Sequence, residues 1–456
     1  MRILFLYTRY RTNEYKPFAP NTLDNLNGPS GNMVCVTEDR FAGQQSIESL
    51  FSFNTEYFYK FVDENNVEFL DDFPTKDEKY VILYNLSDII SFTDEIKRWD
   101  EWYNKKDQVF LKMIDDLRNN RCSVIFRSYH DSLDDTNEIS RDFVLEWLFN
   151  KDIPLNRISY LGCGVPNKAN WWKGISSLRV HTICLQLYRI LKGFTLNYYL
   201  SAFTNNLYHL RQKHFVTFNH HWKSGNRSKL VKFLSDNDYV KKGYVSYKAS
   251  ESSSSPNDPL KRIYLDSSEE THKELRGDIT RHDNTNTLGN ISVFLKKYNN
   301  RSLSMQELSS HTGLRSNSPL HFNSYFSIIV NFIAGNPIDK GIDLDEKMFR
   351  SIIHLQPFLI MGSTGILARL RKHGFKTFEP FIDESYDKEE NVDKRMDMIL
   401  NEVGRLCSMD RVEIDKWYWE MKVILLYNFN HFSKFCNNQM KLVMDEVERH
   451  WSLMHE

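Results

Sequence analysis

The sequence predicts an α/β chain made of two Rossmann-like halves facing a cleft, with C-terminal helices crossing back onto the first half. Three observations carry this reading. Short apolar runs bounded by turn residues alternate with amphipathic stretches through the first half, as successive βαβ units require. The alternation gives way to a helical, aromatic stretch at 176–212 and restarts at Phe215-Val-Thr-Phe218. A strand at 357–361 then runs into the turn Gly362-Ser-Thr-Gly365, which opens another helix. At 456 residues the chain exceeds the usual single-domain size. We divide it into a first domain at 1–190, a connecting helix at 191–212, a second domain at 213–410 and a helical tail at 411–456.

In the first half, residues 2–8 read as a buried first strand, suited to a parallel sheet covered on both faces. A Gly/Pro/Asn-rich loop at 15–32 follows, then a helix at 46–61 and a strand at 80–84. A long charged amphipathic helix at 96–119 carries Trp99 and Trp102. The strand at 123–126 ends by delivering Arg127, Tyr129, His130 and Asp131, and a helix at 143–150 leads to a strand at 158–161 that closes on Gly162-Cys-Gly164.

In the second half, the strand at 215–218 is followed by a polar, basic loop at 219–227, a helix at 228–234 and a strand at 243–247. Residues 249–259, with the run Ser252–Ser255, read as a low-complexity surface insertion. Polar sequence continues to about 317, and a strand at 325–332 precedes the helix at 346–350. The tail at 413–450 reads as one strongly amphipathic helix with Trp417 and Trp419, and with Trp451 just beyond.

Composition excludes several classes. A 41% hydrophobic and 14% aromatic chain is not largely disordered. A formal net charge of −1 gives no global preference for nucleic acid or for an acidic membrane. The six cysteines are scattered, with no C-x-x-C pair, so reduced core thiols are expected rather than a zinc ribbon or a disulfide framework. The opening Met1-Arg-Ile-Leu-Phe-Leu-Tyr7 is too short an apolar run for a signal peptide. No stretch approaches the ~20 apolar residues that span a bilayer. The expectation is a soluble, cytoplasmic protein.

The chemistry concentrates around Glu346-Lys347-Met-Phe-Arg350, the strand after it and the turn Gly362-Ser-Thr-Gly365. A strand, a glycine turn and a helix N-terminus offer backbone N–H groups and a helix dipole to an anion. Lys347 and Arg350 add positive charge, and Glu346 can accept hydrogen bonds from sugar hydroxyls. Together these suit a nucleotide diphosphate with its ribose. Ordinary α/β packing explains the same pattern equally well. Arg227 begins a helix, where a cation opposes the macrodipole and an anion between them would resolve the conflict. Asn219, His220 and His221 lie at a strand end; adjacent histidines do not have metal spacing, so sugar or phosphate contact is expected of them. The segment 205–248 holds nine Lys and Arg against Asp236 and Asp238, with aromatics interleaved. That permits nucleic-acid contact without requiring it.

These residues resemble a family. Phe215-Val-Thr-Phe-Asn219 with Arg227, then Asp345-Glu-Lys-Met-Phe-Arg350, then Gln356-Pro-Phe-Leu-Ile360 with Gly365-Ile-Leu-Ala-Arg-Leu-Arg-Lys-His-Gly-Phe-Lys-Thr-Phe378 and Phe381-Ile-Asp-Glu-Ser-Tyr-Asp387, are similar to the nucleotide-sugar-binding domain of GT-B glycosyltransferases of the fucosyltransferase-like and exostosin-like kind. They look most similar to uncharacterised relatives found in tailed phages and giant viruses. The resemblance covers 213–405, less than half the chain, and the first half shows no matching motif. It implies a nucleotide-sugar donor, UDP- or GDP-linked, with Lys347 and Arg227 on the diphosphate and Glu346 on the ribose. It also implies a leaving group neutralised by basic side chains rather than by a metal. Where relatives often carry an acidic residue, this chain has Val330-Asn331-Phe332, so an acidic role is not carried over.

An inverting mechanism needs a base that reaches the acceptor hydroxyl. His130 or Asp131 is the choice, with Glu38 or Asp39 in reserve; a retaining mechanism needs none. The acceptor is open: a hydroxymethylated base of phage DNA, a glycan or a protein. The alternatives are a non-catalytic carbohydrate- or nucleic-acid-binding protein on a degenerate transferase scaffold, and a structural phage component.

Overall fold

The computed structural model describes residues 1–8, 15–18, 56–70, 73–74, 77–86, 92–127, 138–162, 171–181, 210–219, 225–247, 318–331, 344 and 346–456. The chain divides into two compact units, one of residues 1–193, 338–344 and 433–456 and one of residues 194–337 and 345–432.

The first unit is built on β1 (Arg2–Thr8), β2 (Tyr15–Phe18), β3 (Glu68–Leu70), β4 (Tyr80–Asn85), β5 (Cys122–Arg127), β6 (Ile158–Gly162) and β7 (Ser176–Arg179). The order is β2-β1-β4-β5-β6-β7, with β3 also on β1, and all pairings are parallel except β1 with β2. Every residue of β5 and β6 is buried, which explains the apolar Val124-Ile-Phe126 and Tyr160-Leu161, and Ser123, Arg127 and Ser159 are buried with them. Two strands depart from the sequence reading. Residues 15–18 begin the expected loop yet pair with Phe5–Thr8, because β3 covers only Arg2–Leu4 and leaves the rest of that edge to be satisfied. Residues 176–179, read as helical, extend the sheet beyond β6.

Helices α1 (Glu56–Glu64), α2 (Phe92–Asn104), α3 (Gln108–Arg118) and α4 (Glu138–Asn150) accompany this sheet. The single helix expected at 96–119 is broken. Lys106 adopts φ +56, and the carboxylate of Asp107 accepts from the amide of Phe110 at 2.9 Å, starting α3 afresh. A left-handed lysine costs about 1–2 kcal/mol relative to glycine. Lys106→Gly is therefore expected to raise the melting temperature of this unit by a few degrees, with thermal denaturation as the check.

Aromatic rings fill the core. Phe92 stacks on Tyr160 at 5.0 Å and meets Phe126 and Trp172 at 4.8 and 5.1 Å, while Trp99 packs on Phe126 at 5.0 Å. The end of the final helix, residues 433–456, belongs to this unit. Lys79 and Arg157 donate to its last carbonyls, those of Met454 and Leu453, where cations complement the dipole.

The second unit holds β8 (Lys213–Asn219), β9 (Gly243–Tyr247), β10 (Ser324–Val330) and β11 (Phe358–Met361), ordered β11-β10-β8-β9 and parallel throughout. Gly243 opens β9 because the ring of Phe215, its register partner, occupies the space of a side chain: a Cβ there would lie 2.2 Å from the ring. Its helices are α5 (Gly225–Asp236), α6 (Ser318–Phe322), α7 (Glu346–Ile353), α8 (Ile366–Lys372), α9 (Val392–Ser408), α10 (Arg411–Glu420) and the first part of α11 (Lys422–His455).

The tail, read as one helix over 413–450, is two. Asp410 and Glu413 form a capping box that starts α10, and the chain breaks at fully buried Met421 before α11. Among the described residues Cys122, Cys407 and Cys436 are buried thiols outside any disulfide, and burial pushes the Cys407 thiol up to about 12. Cys35, Cys163 and Cys184 lie outside the described residues. Among the described residues, no helix is long and apolar enough to cross a membrane.

Candidate functional site

The order β11-β10-β8-β9 reverses direction between β8 and β10, and in open parallel sheets ligands bind beyond the carboxyl ends of the strands at such a switch point. Asn219 ends β8 and is fully buried, its amide donating to Thr217 Oγ1 at 3.1 Å. Val330 ends β10. Arg227, the third residue of α5, is buried and donates from Nε and Nη2 to the Val330 carbonyl at 3.2 and 3.1 Å. The acceptor expected to relieve Arg227 at a helix start is thus, at least in part, a backbone carbonyl.

Helix α7 presents Lys347, Arg350 and Ser351 to this sheet, at the spacing that shares a helix face. With Phe218, His321 and Ser327 they line a cavity of about 20 Å³, room for one water-sized group. The Arg350 guanidinium sits 5.8 Å from the Phe218 ring centroid. Glu346 is the first residue of α7, and its side chain lies outside the described residues, as do His130, Asp131, Glu38, Asp39, His220 and His221.

Beneath α7 runs a polar network that the sequence reading did not single out. The Gln356 side-chain nitrogen donates to the carbonyls of His321 and Ser324 at 2.6 and 2.7 Å, and its oxygen faces His321 Nδ1 at 2.5 Å and the Ser327 hydroxyl at 2.7 Å. His354 stacks on His321 with ring centroids 4.6 Å apart and donates from Nδ1 to the Arg350 carbonyl at 2.7 Å. Burial lowers both imidazoles, His321 well below its usual value and His354 to about 3, so both are neutral. The sequence signal was present: His321, Ser327, His354 and Gln356 interrupt otherwise apolar segments, and polar groups buried there must find partners.

The glycine turn differs from expectation. Gly365 takes φ +77, a conformation that favours glycine, and a Cβ there would meet open space, so the requirement is conformational. The α8 N-terminus already holds an anion of the protein's own. The Asp387 carboxylate accepts from the amides of Leu367 and Ala368, both at 3.0 Å, and the Asp387 carbonyl accepts from Gly365 at 2.8 Å. These three amides are not available to a phosphate. Beside the turn, a Cβ on Gly362 would lie 3.5 Å from the Asn331 amide nitrogen. Asp387→Ala is expected to cost the second unit about 2 kcal/mol, the loss of two charge-assisted caps. Asp387→Asn should cost less, since one acceptor survives; denaturant titration reads both.

The basic segment 205–248 is largely paired within the unit. Lys229 pairs with Asp393, Lys232 with Asp236 at 2.6 Å and Lys241 with Asp238 at 3.1 Å. Lys213 and Lys242 donate to the carbonyls of Lys241 and Cys407, and Arg211 lies 3.6 Å over the Tyr418 ring. Lys223 and Lys248 lie outside the described residues.

In the first unit Ser159, His450 and Glu446 bring together the residue types of a hydrolytic triad, with Ser159 Oγ 2.6 Å from His450 Nε2 and 2.5 Å from Glu446. Ser159 lies within a strand and is fully buried, as is His450. The set ties the sheet to the last helix rather than meeting a substrate. Among the described residues no group of three or more His, Cys, Asp or Glu is placed to hold a metal.

Fold and site define an α/β protein of two units on largely parallel sheets, the second with a cation-lined cavity between α7 and the face of β8 and β10. Compared with family models, curated proteins and solved structures, the chain matches none.

Proposed function

We propose that the chain is a glycosyltransferase of the GT-B type that transfers a sugar from a nucleotide-sugar donor to an acceptor hydroxyl, with the donor in the second unit. The observation that carries this reading is the placement of Lys347 and Arg350 on one face of α7, against β8 and β10, the two strands between which the order of a parallel sheet reverses. Glycosyl transfer leaves a nucleotide diphosphate, and two preorganised cations at the leaving group lower the barrier by stabilising that charge. Charge neutralisation by these side chains requires no metal. The second cation expected on the diphosphate, Arg227, is instead a brace between α5 and β10 in this reading. The hydroxymethylated-DNA acceptor draws no support from the described part of 205–248, whose cations have partners within the unit.

The test is thermal stabilisation by UDP, GDP, CMP and their sugars. A ligand bound only by the native state stabilises it by about 2.7 kcal/mol at one hundred times its dissociation constant. The expected result is a raised melting temperature with one nucleotide and its sugar; no rise with any of them rejects the reading. One observation favours a second reading, a nucleotide- or carbohydrate-binding protein without transferase chemistry: Asp387 occupies the amides at the α8 N-terminus. Binding without sugar transfer or donor hydrolysis would select it.

A further inference from the structure

The cavity under α7 has one feature that a simple cation-lined phosphate site does not need. His321 is 2% exposed and lines it, and its Nε2 has no hydrogen-bond partner among the described residues. The chemistry of that nitrogen is determined by its neighbours. Gln356 Nε2 donates to two backbone carbonyls, which only accept, so the amide cannot be flipped and its oxygen must face His321 Nδ1. Nδ1 therefore carries the ring proton and Nε2 presents a bare lone pair. The two hydroxyls on the cavity wall do not satisfy it: Ser327 donates to Gln356 Oε1 at 2.7 Å and Ser351 to the Lys347 carbonyl at 3.1 Å.

We propose that His321 is a specificity-determining residue of this site, its Nε2 accepting a hydrogen bond from one ligand hydroxyl that enters the cavity beside Lys347 and Arg350. The inference rests on the nucleotide-sugar reading and narrows it. A deprotonated phosphate oxygen has no hydrogen to give this lone pair, so the cations take the phosphate and the imidazole takes a neutral donor a few ångströms away. A space of about 20 Å³ admits one oxygen. Two parts of a nucleotide sugar place a hydroxyl at such a distance from the diphosphate, the ribose and the transferred sugar. Burial keeps His321 neutral and so preserves the acceptor.

Calorimetric titration of the full chain and of His321→Leu with UDP, GDP, their 2′-deoxy and 3′-deoxy forms, UDP-glucose and GDP-mannose tests this. If the ribose is read, the variant binds the ribonucleotide about 5- to 10-fold more weakly, the size of one neutral hydrogen bond, and one deoxy form equally to wild type. If the transferred sugar is read, the nucleotide sugar alone weakens. Equal affinities of wild type and variant for every probe overturn the proposal while leaving the nucleotide reading intact. Failure of wild type to bind any of these probes or CMP overturns both. Should His321→Leu not fold, histidine ¹⁵N spectra of the wild-type chain decide. A protonated Nδ1 and an Nε2 resonance that moves on saturation with the bound nucleotide support the proposal; an unmoved Nε2 overturns it.

Discussion

Lys347→Ala combined with Arg350→Ala is expected to remove nucleotide binding, with a loss of at least about 100-fold. A hydrogen bond to a charged group contributes about 1.5–3 kcal/mol, so two such contacts to one diphosphate reach that range even when their effects do not add fully. The fold should survive. Both residues are only partly buried, whereas α7 is anchored by Met348, Phe349, Ile352 and Ile353, each nearly inaccessible. Calorimetry with the nucleotide that stabilises wild type is the measurement, and affinity within threefold of wild type would remove α7 from the site. Arg227→Ala is a poorer probe. Its guanidinium bonds the end of β10, so stability and binding would fall together.

Acid is expected to destabilise the second unit before its carboxylates titrate. A histidine held below its ordinary pKa of about 6.5 stays neutral when folded and takes a proton when unfolded, so lowering the pH through that value favours unfolding. His354, its pKa lowered to about 3 by burial, should cost roughly 2–3 kcal/mol between pH 7 and 4.5. His321 and His214, also lowered chiefly by burial, act in the same sense. Glu384 and Asp387, raised by burial, oppose it. Comparison with His354→Met isolates the imidazole. Denaturant titrations at pH 7, 5.5 and 4.5 should show a markedly smaller pH dependence in the variant, and equal slopes would reject the assignment.

Much of this was legible in the sequence because a parallel strand buried on both faces is mostly apolar. Residues 80–84, 123–126, 158–161, 215–218 and 243–247 are short, mostly apolar runs, with Ser123, Ser159, Thr217 and Ser246 among them, and each is a strand. Helix α9 has equally local signals. Asn391 caps it, and Met396, Ile399, Val403 and Leu406 are buried at helical spacing. Breaks were harder to see. The kink at Lys106 needs a left-handed residue that composition does not advertise, and the one at Met421 falls inside an unbroken amphipathic pattern.

The sequence by itself determined two largely parallel α/β layers, the strands that end near Asn219, Val330 and Met361, and the helix that carries Lys347 and Arg350. These follow from local periodicity, which is a property of neighbouring residues. Only the tertiary structure decided what those residues touch. It gave Arg227 a carbonyl, placed Asp387 at the α8 amides, and bound Gln356 to His321 across 35 residues. Partners are chosen by which distant groups the packed sheet brings within about 3 Å, and no pattern along the chain encodes that distance.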